Sequence, residues 1–142
     1  MRIGECGLRN QSPATRTQNS RPRTAPACAA TSSSSSSTTF PDGPGTPYYC
    51  PECAQITGVL AYYPRLRHTL DVRYVDLPRP RKEILSLIGE ANQSCPVLVI
   101  ADGPPASVQG VEIGTFNGLH FVSGAAAIGN YLSQVHGVGR PH

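Results

Sequence analysis

Two cysteines, Cys50 and Cys53, enclose Pro51 and Glu52 at the head of the run YYCPECAQITGVLAYY. Pro51 suits the first position of a helix, and the residues after it repeat apolar side chains at helical spacing. A thiol at that end meets the positive pole of the helix dipole and unpaired backbone N–H groups, which favour the thiolate. Residues three apart share a helix face, so the pair is close enough to close a small disulfide. Thiol–disulfide exchange follows directly: Cys50, nearer solvent, attacks a disulfide and Cys53 resolves the mixed disulfide. Glu52 works weakly against it, because a neighbouring carboxylate disfavours a thiolate. The same spacing also serves half of a metal site. Cys95 would then add a third thiolate for zinc or an iron–sulfur cluster, with His68 or His120 as the candidate fourth ligand. A third reading is a binding module whose cysteines only pack or form a structural bridge.

The five cysteines are Cys6, Cys28, Cys50, Cys53 and Cys95. An odd number with two in the first forty residues is a poor disulfide framework for a secreted domain, and a reducing, cytoplasmic compartment fits a reactive pair better. No stretch approaches the roughly 20 apolar residues of a membrane span, and no apolar core of a secretory signal follows the start. Five arginines stand against Glu5 alone in residues 1–40, while residues 41–142 hold seven Lys/Arg against eight Asp/Glu. The net charge of +3 therefore belongs to the leading segment, and the remainder has no basic surface for nucleic acid. The expected partners are protein or small-molecule thiols and disulfides, with neither nucleic acid nor membrane.

The 142 residues suffice for one domain. Residues 1–39 read as a disordered Ser/Arg-rich tail and residues 40–142 as the domain. The tail holds a serine run from Ser32 to Ser37 and too little apolar surface to offset its ordering entropy. Its Arg-rich, acid-poor composition also describes an organelle transit peptide. Within the domain, the pattern predicts a helix over 51–63 with Cys53, Ile56, Leu60 and Tyr63 on one stripe, stopped by Pro64. Alternation over Leu70–Val75 predicts a half-buried strand. Pro80 opens a short helix with Ile84, Leu85 and Ile88 as its apolar face and Gly89 at its end. Val97–Ile100 reads as a fully buried strand, Ala101–Gly118 as loop, and Leu119–Val122 as an antiparallel partner of the buried strand. Ser123 is expected to cap a last helix carrying Ala127, Ile128, Tyr131 and Leu132, ended near Gly137. Arg79, Arg81 and Lys82 read as a solvated basic face.

This order of helices and strands resembles the thioredoxin-like fold, an α/β architecture of three layers around a mixed sheet. Cys50-Pro51-Glu52-Cys53, Cys95-Pro96-Val97-Leu98-Val99 and Ala127-Ile128-x-x-Tyr131-Leu132 carry the likeness, the last two to its glutaredoxin and glutathione-transferase N-terminal branch. Residues 49–54, 76–81 and 92–98 and the terminal His136-Gly137 with Arg140-Pro141-His142 resemble, more closely, domain of unknown function family 3088. The resemblance implies a cis peptide before Pro96, on a turn facing the cysteine pair. It makes Cys50 and Cys53 the catalytic residues and Tyr49, Pro51, Cys95 and Pro96 the substrate-binding ones. It implies no resident cofactor. Glutathione is the co-substrate the branch suggests, yet Gly124 and Ala125 stand where transferases carry an acid–Ser pair, and Ser123 falls two residues early. The resemblance also requires a first, central strand just before Cys50, and the Thr31–Thr39 segment there is unsuited to a buried strand. The central strand is thus expected to be missing or replaced, with an upstream frame difference or a serine-rich linker as the two readings.

Overall fold

The computed structural model describes residues 27–30, 40–41, 45–75 and 78–142. Helices and strands alternate in a mixed α/β arrangement: strand β1 (Ala27–Ala30), a small hairpin of β2 (Phe40–Pro41) and β3 (Pro47–Tyr48), then helices α1 (Pro51–Tyr62) and α2 (Leu66–Thr69). Strand β4 (Val72–Val75), helix α3 (Lys82–Ile88) and a 3₁₀ turn at Glu90–Asn92 follow. Strands β5 (Val97–Ile100), β6 (Gly114–Phe116) and β7 (Leu119–Ser123) and helix α4 (Ala125–His136) complete the described elements.

The main sheet has five strands in the order β4-β1-β5-β7-β6. β1 runs parallel to β4, pairing Ala27 with Val72 and Ala30 with Val75, and antiparallel to β5, pairing Cys28 with Val97. Within the segment read as a tail, Ala27–Ala30 occupies an interior place between β4 and β5. The serine run and the rest of residues 1–39 lie outside the described residues, as do Asp76 and Leu77.

β5 is buried at all four positions, as its unbroken Val/Leu/Ile run predicts. Its alternate side chains serve two separate clusters. Leu98 and Ile100 join Ile56 and Leu60 of α1 and Ile128, Tyr131 and Leu132 of α4. Val97 and Val99 join Ile84 and Ile88 of α3, Val75 and Cys53. The stripe read on α1 holds, with Cys53, Ile56 and Leu60 buried. Tyr63 caps the helix end, and its hydroxyl oxygen accepts the Gly139 N–H at 3.1 Å.

Four local readings are corrected. Leu85 is exposed, and Leu87, three residues from Ile84 on the same helix face, packs against the α3 cluster instead. The alternation over 70–75 does not hold one face buried: Leu70 is buried while Tyr74, on the same face, is exposed. Ala101–Gly118 is not all loop, since Gly114–Phe116 pairs with Leu119–Phe121. Asn117 and Gly118 both take positive φ between the paired Phe116 and Leu119, the geometry of a two-residue primed turn. Ser123 is no cap: it is the last residue of β7, opposite Val97, and Gly124 with φ 85° occupies the N-cap position. The stop at Gly137 stands, in the left-handed conformation at φ 64°.

Candidate functional site

Cys50 is the N-cap of α1 in extended backbone geometry, and Pro51 fills the first turn, where its missing N–H leaves no donor unsatisfied. The Cys53 N–H donates to Cys50 Sγ at 3.3 Å, so the sulfur takes the capping place that Ser or Asp oxygen fills elsewhere. Cys53 is 4% exposed, whereas Cys50 is half-buried. The two thiols thus differ in access in the sense the sequence predicts. Neither they nor Cys95 is in a disulfide.

The turn into β5 faces this helix end. The Cys95–Pro96 peptide is cis, as expected. The Cys50 thiol donates to the Cys95 carbonyl oxygen at 3.9 Å. Cys50 and Cys95 both pack against the cluster that contains Cys53, so the three thiols share one neighbourhood. Pro96 is buried, and its carbonyl accepts the Gly124 N–H at 3.1 Å, which leaves Cys95 as the half-buried member of the turn. Tyr49 is 62% exposed and Pro51 is exposed, on the solvent side of the pair.

One residue read as part of a solvated face belongs to the site. Arg81 Nη1 donates to Cys95 Sγ at 3.6 Å and to the Gln93 carbonyl oxygen, while the Arg81 N–H donates to Gln93 Oε1 at 2.6 Å. Gln93, 4% exposed, completes its amide by donating from Nε2 to the Glu90 carbonyl at 3.0 Å. Arg79 and Lys82 remain exposed. Burial pushes the Cys95 thiol pKa up, and the Arg81 charge pulls against it. A charge on Cys50 adds to the rise, while Arg79 and the hydrogen bond from Arg81 oppose it. No sequence signal marks Arg81, because the burial of Gln93 that fixes it is a property of the fold.

The other residues considered as metal ligands lie elsewhere. His68 is exposed on α2, and His120 sits on β7 opposite Ile100 and Thr115. Among the described residues no group of three or more His, Cys, Asp and Glu side chains is close enough together to hold a metal ion. No described helix is long and apolar enough to cross a membrane.

The family described as "Protein of unknown function (DUF3088)" matches residues 37–140. The chain belongs to that family. The match takes in Cys50, Cys53, Arg81, Gln93 and Cys95, so the whole sulfur cluster lies within the family's span. Strand β1 precedes it. Neither the curated proteins nor the solved structures gave a match.

Proposed function

We propose that this chain is a thiol–disulfide oxidoreductase of thioredoxin-like architecture, working through Cys50 and Cys53. The observation that carries the reading is the capping geometry: a half-buried sulfur at the start of a twelve-residue helix accepts a backbone N–H at 3.3 Å, with a buried second thiol one turn on. The capped sulfur is the more accessible of the two, so an incoming disulfide meets Cys50 before Cys53. The architecture is supported by the strand order, in which β1 is flanked by a parallel and an antiparallel neighbour, and by the cis-proline turn facing the helix start.

Cys50 attacks a substrate disulfide, forming Cys50–S–S–R and releasing one thiol. Cys53 then attacks Cys50 Sγ, closing the Cys50–Cys53 bridge and releasing the second. Two thiols lose two electrons and the substrate disulfide gains them. Substrates are protein or small-molecule disulfides that approach past Tyr49 and Pro51 and lie along Cys95, with no resident cofactor. Glutathione is one such thiol, and the Gly124-Ala125 step offers it no side-chain acid.

Insulin reduction with dithiothreitol as electron source tests the activity, and Cys53→Ser tests the order of attack. With Cys95→Ala added, so that no second thiol remains beside Cys50, the variant should accumulate stable mixed disulfides through Cys50. A purified chain that carries stoichiometric zinc or iron and shows no dithiol oxidation would overturn the reading in favour of metal binding. A metal-free chain inert in both assays would leave the binding-module role.

A further inference from the structure

Cys95 is equipped beyond the needs of a packing residue. A structural cysteine is an inert small hydrophobe, and reactive ones sit beside cations. Here Arg81 Nη1 lies 3.6 Å from Cys95 Sγ, and the guanidinium is held from behind. Gln93, the buried polar side chain of the described core, accepts the Arg81 N–H through Oε1, accepts Nη1 through its carbonyl and anchors itself on Glu90. A buried amide committed to one arginine is a positioning device, and the group it positions that arginine against is a sulfur. The same residue meets Cys50 from the other side, with its carbonyl 3.9 Å from Cys50 Sγ.

We infer that Cys95 is a third redox thiol, the alternative partner of Cys50, and that Arg81, set by Gln93, is the positioning residue that makes it a nucleophile. The inference rests on the dithiol reading above. In the mixed disulfide Cys50–S–S–R, the Cys95 thiolate attacks Cys50 Sγ. The Cys50–S–R bond breaks, the Cys50–Cys95 bond forms, and RS⁻ leaves to take a proton from water. The substrate disulfide is the oxidant, and Cys50 and Cys95 are the two thiols oxidised. Cys53 can afterwards attack Cys50 Sγ, exchanging the bridge for Cys50–Cys53 and returning Cys95 as a thiol with no net redox change. Burial raises the Cys95 pKa and Arg81 opposes the rise, so the Cys95 step accelerates with rising pH.

The test uses the full chain with Cys53→Ser, oxidised glutathione as probe, acid quenching and mass-spectrometric mapping of the unreduced digest. The expected product is a Cys50–Cys95 bridge. Adding Arg81→Met should slow its formation and move the rate–pH profile to higher pH, which a purely structural role would not do. For each tenfold loss of thiolate the remaining thiolate gains about threefold in intrinsic nucleophilicity, so the net slowing is about threefold per step of that size. Arg81→Lys should restore most of the rate. Persistent Cys50 glutathione adduct with Cys95 still alkylatable overturns the inference, as does a bridge to Cys28. If unaltered Cys53 chains still form Cys50–Cys53 under the same oxidation, the dithiol reading survives that failure. If they form neither that bridge nor a Cys50 adduct, both fall. Should Cys53→Ser fold poorly by circular dichroism, the Arg81→Met chain alone decides: an unchanged pH profile of Cys95 alkylation overturns the inference.

Discussion

Replacing Gly89 by alanine should destabilise the domain more than replacing Gly124, and the difference measures one ring contact. Gly89 ends α3 at φ 79° and ψ 170°, and Gly124 opens α4 at φ 85° and ψ 144°. Both sit in positive-φ extended backbone that side chains rarely enter, at a strain of about 1–3 kcal/mol. Removing a glycine from the unfolded chain offsets about 0.4–1 kcal/mol of that. A Cβ on Gly124 meets nothing within 4 Å, so its loss is the strain alone, about 1–2 kcal/mol after the offset. A Cβ on Gly89 would lie 2.6 Å from Phe116 Cε2 and 2.7 Å from Cζ. Phe116 is half-buried and packs against the cluster of Val97 and Val99, so moving its ring aside gives up part of that packing. Overpacking of this kind adds about 1–3 kcal/mol, bringing Gly89→Ala to about 2–5 kcal/mol. Urea unfolding followed by circular dichroism reads both. With a slope of about 1–3 kcal/mol/M, a gap of about 2 kcal/mol separates the two midpoints by roughly 1–2 M. Combining Gly89→Ala with Phe116→Leu should recover part of the gap. Equal losses at the two glycines would refute the ring contact, and no loss at either would refute the backbone reading.

Two further outcomes are expected. Because the folded Cys95 thiol has a raised pKa, the unfolded chain gives up that proton at lower pH, so stability falls as pH rises through the unfolded thiol's range. Cys95→Ala should flatten the alkaline limb of a stability–pH curve taken under reducing conditions. Arg65 Nη2 donates to the His136 and Gly137 carbonyls at 3.1 Å each, closing the end of α4 from the chain after α1. Arg65→Met should lower stability by about 1 kcal/mol, read by the same urea titration.

The parts legible in the sequence were those where one local pattern decides the structure. Cys50 and Cys53 on a helix start, the Val97–Ile100 strand and the Gly137 stop follow from helix capping, an unbroken apolar run and a left-handed glycine. What escaped depends on partners far along the chain. Ala27–Ala30 has no strand signature of its own and becomes a strand through pairing with β4 and β5. Ser123 precedes an alanine run and so resembles a cap, yet its pairing with Val97 extends β7 to it. Arg81 looked like one of three surface cations because nothing local reveals that Gln93 would hold it. The β6–β7 hairpin was different: Asn117-Gly118 is a strong turn signal, outweighed by the glycines and prolines around it.

The place of β1 has a consequence for assembly. Among the described residues β4 pairs with no strand but β1, and β5 meets β1 on one side and β7 on the other. Withdrawing four residues would bare two facing edges at once, each a template for any extended backbone. The segment that fills the slot pairs along its main chain with both neighbours, and main-chain pairing is indifferent to side-chain identity. Two copies trading this segment would each regain a full sheet without building a new interface. An exchange of that kind would make the completeness of the sheet depend on concentration.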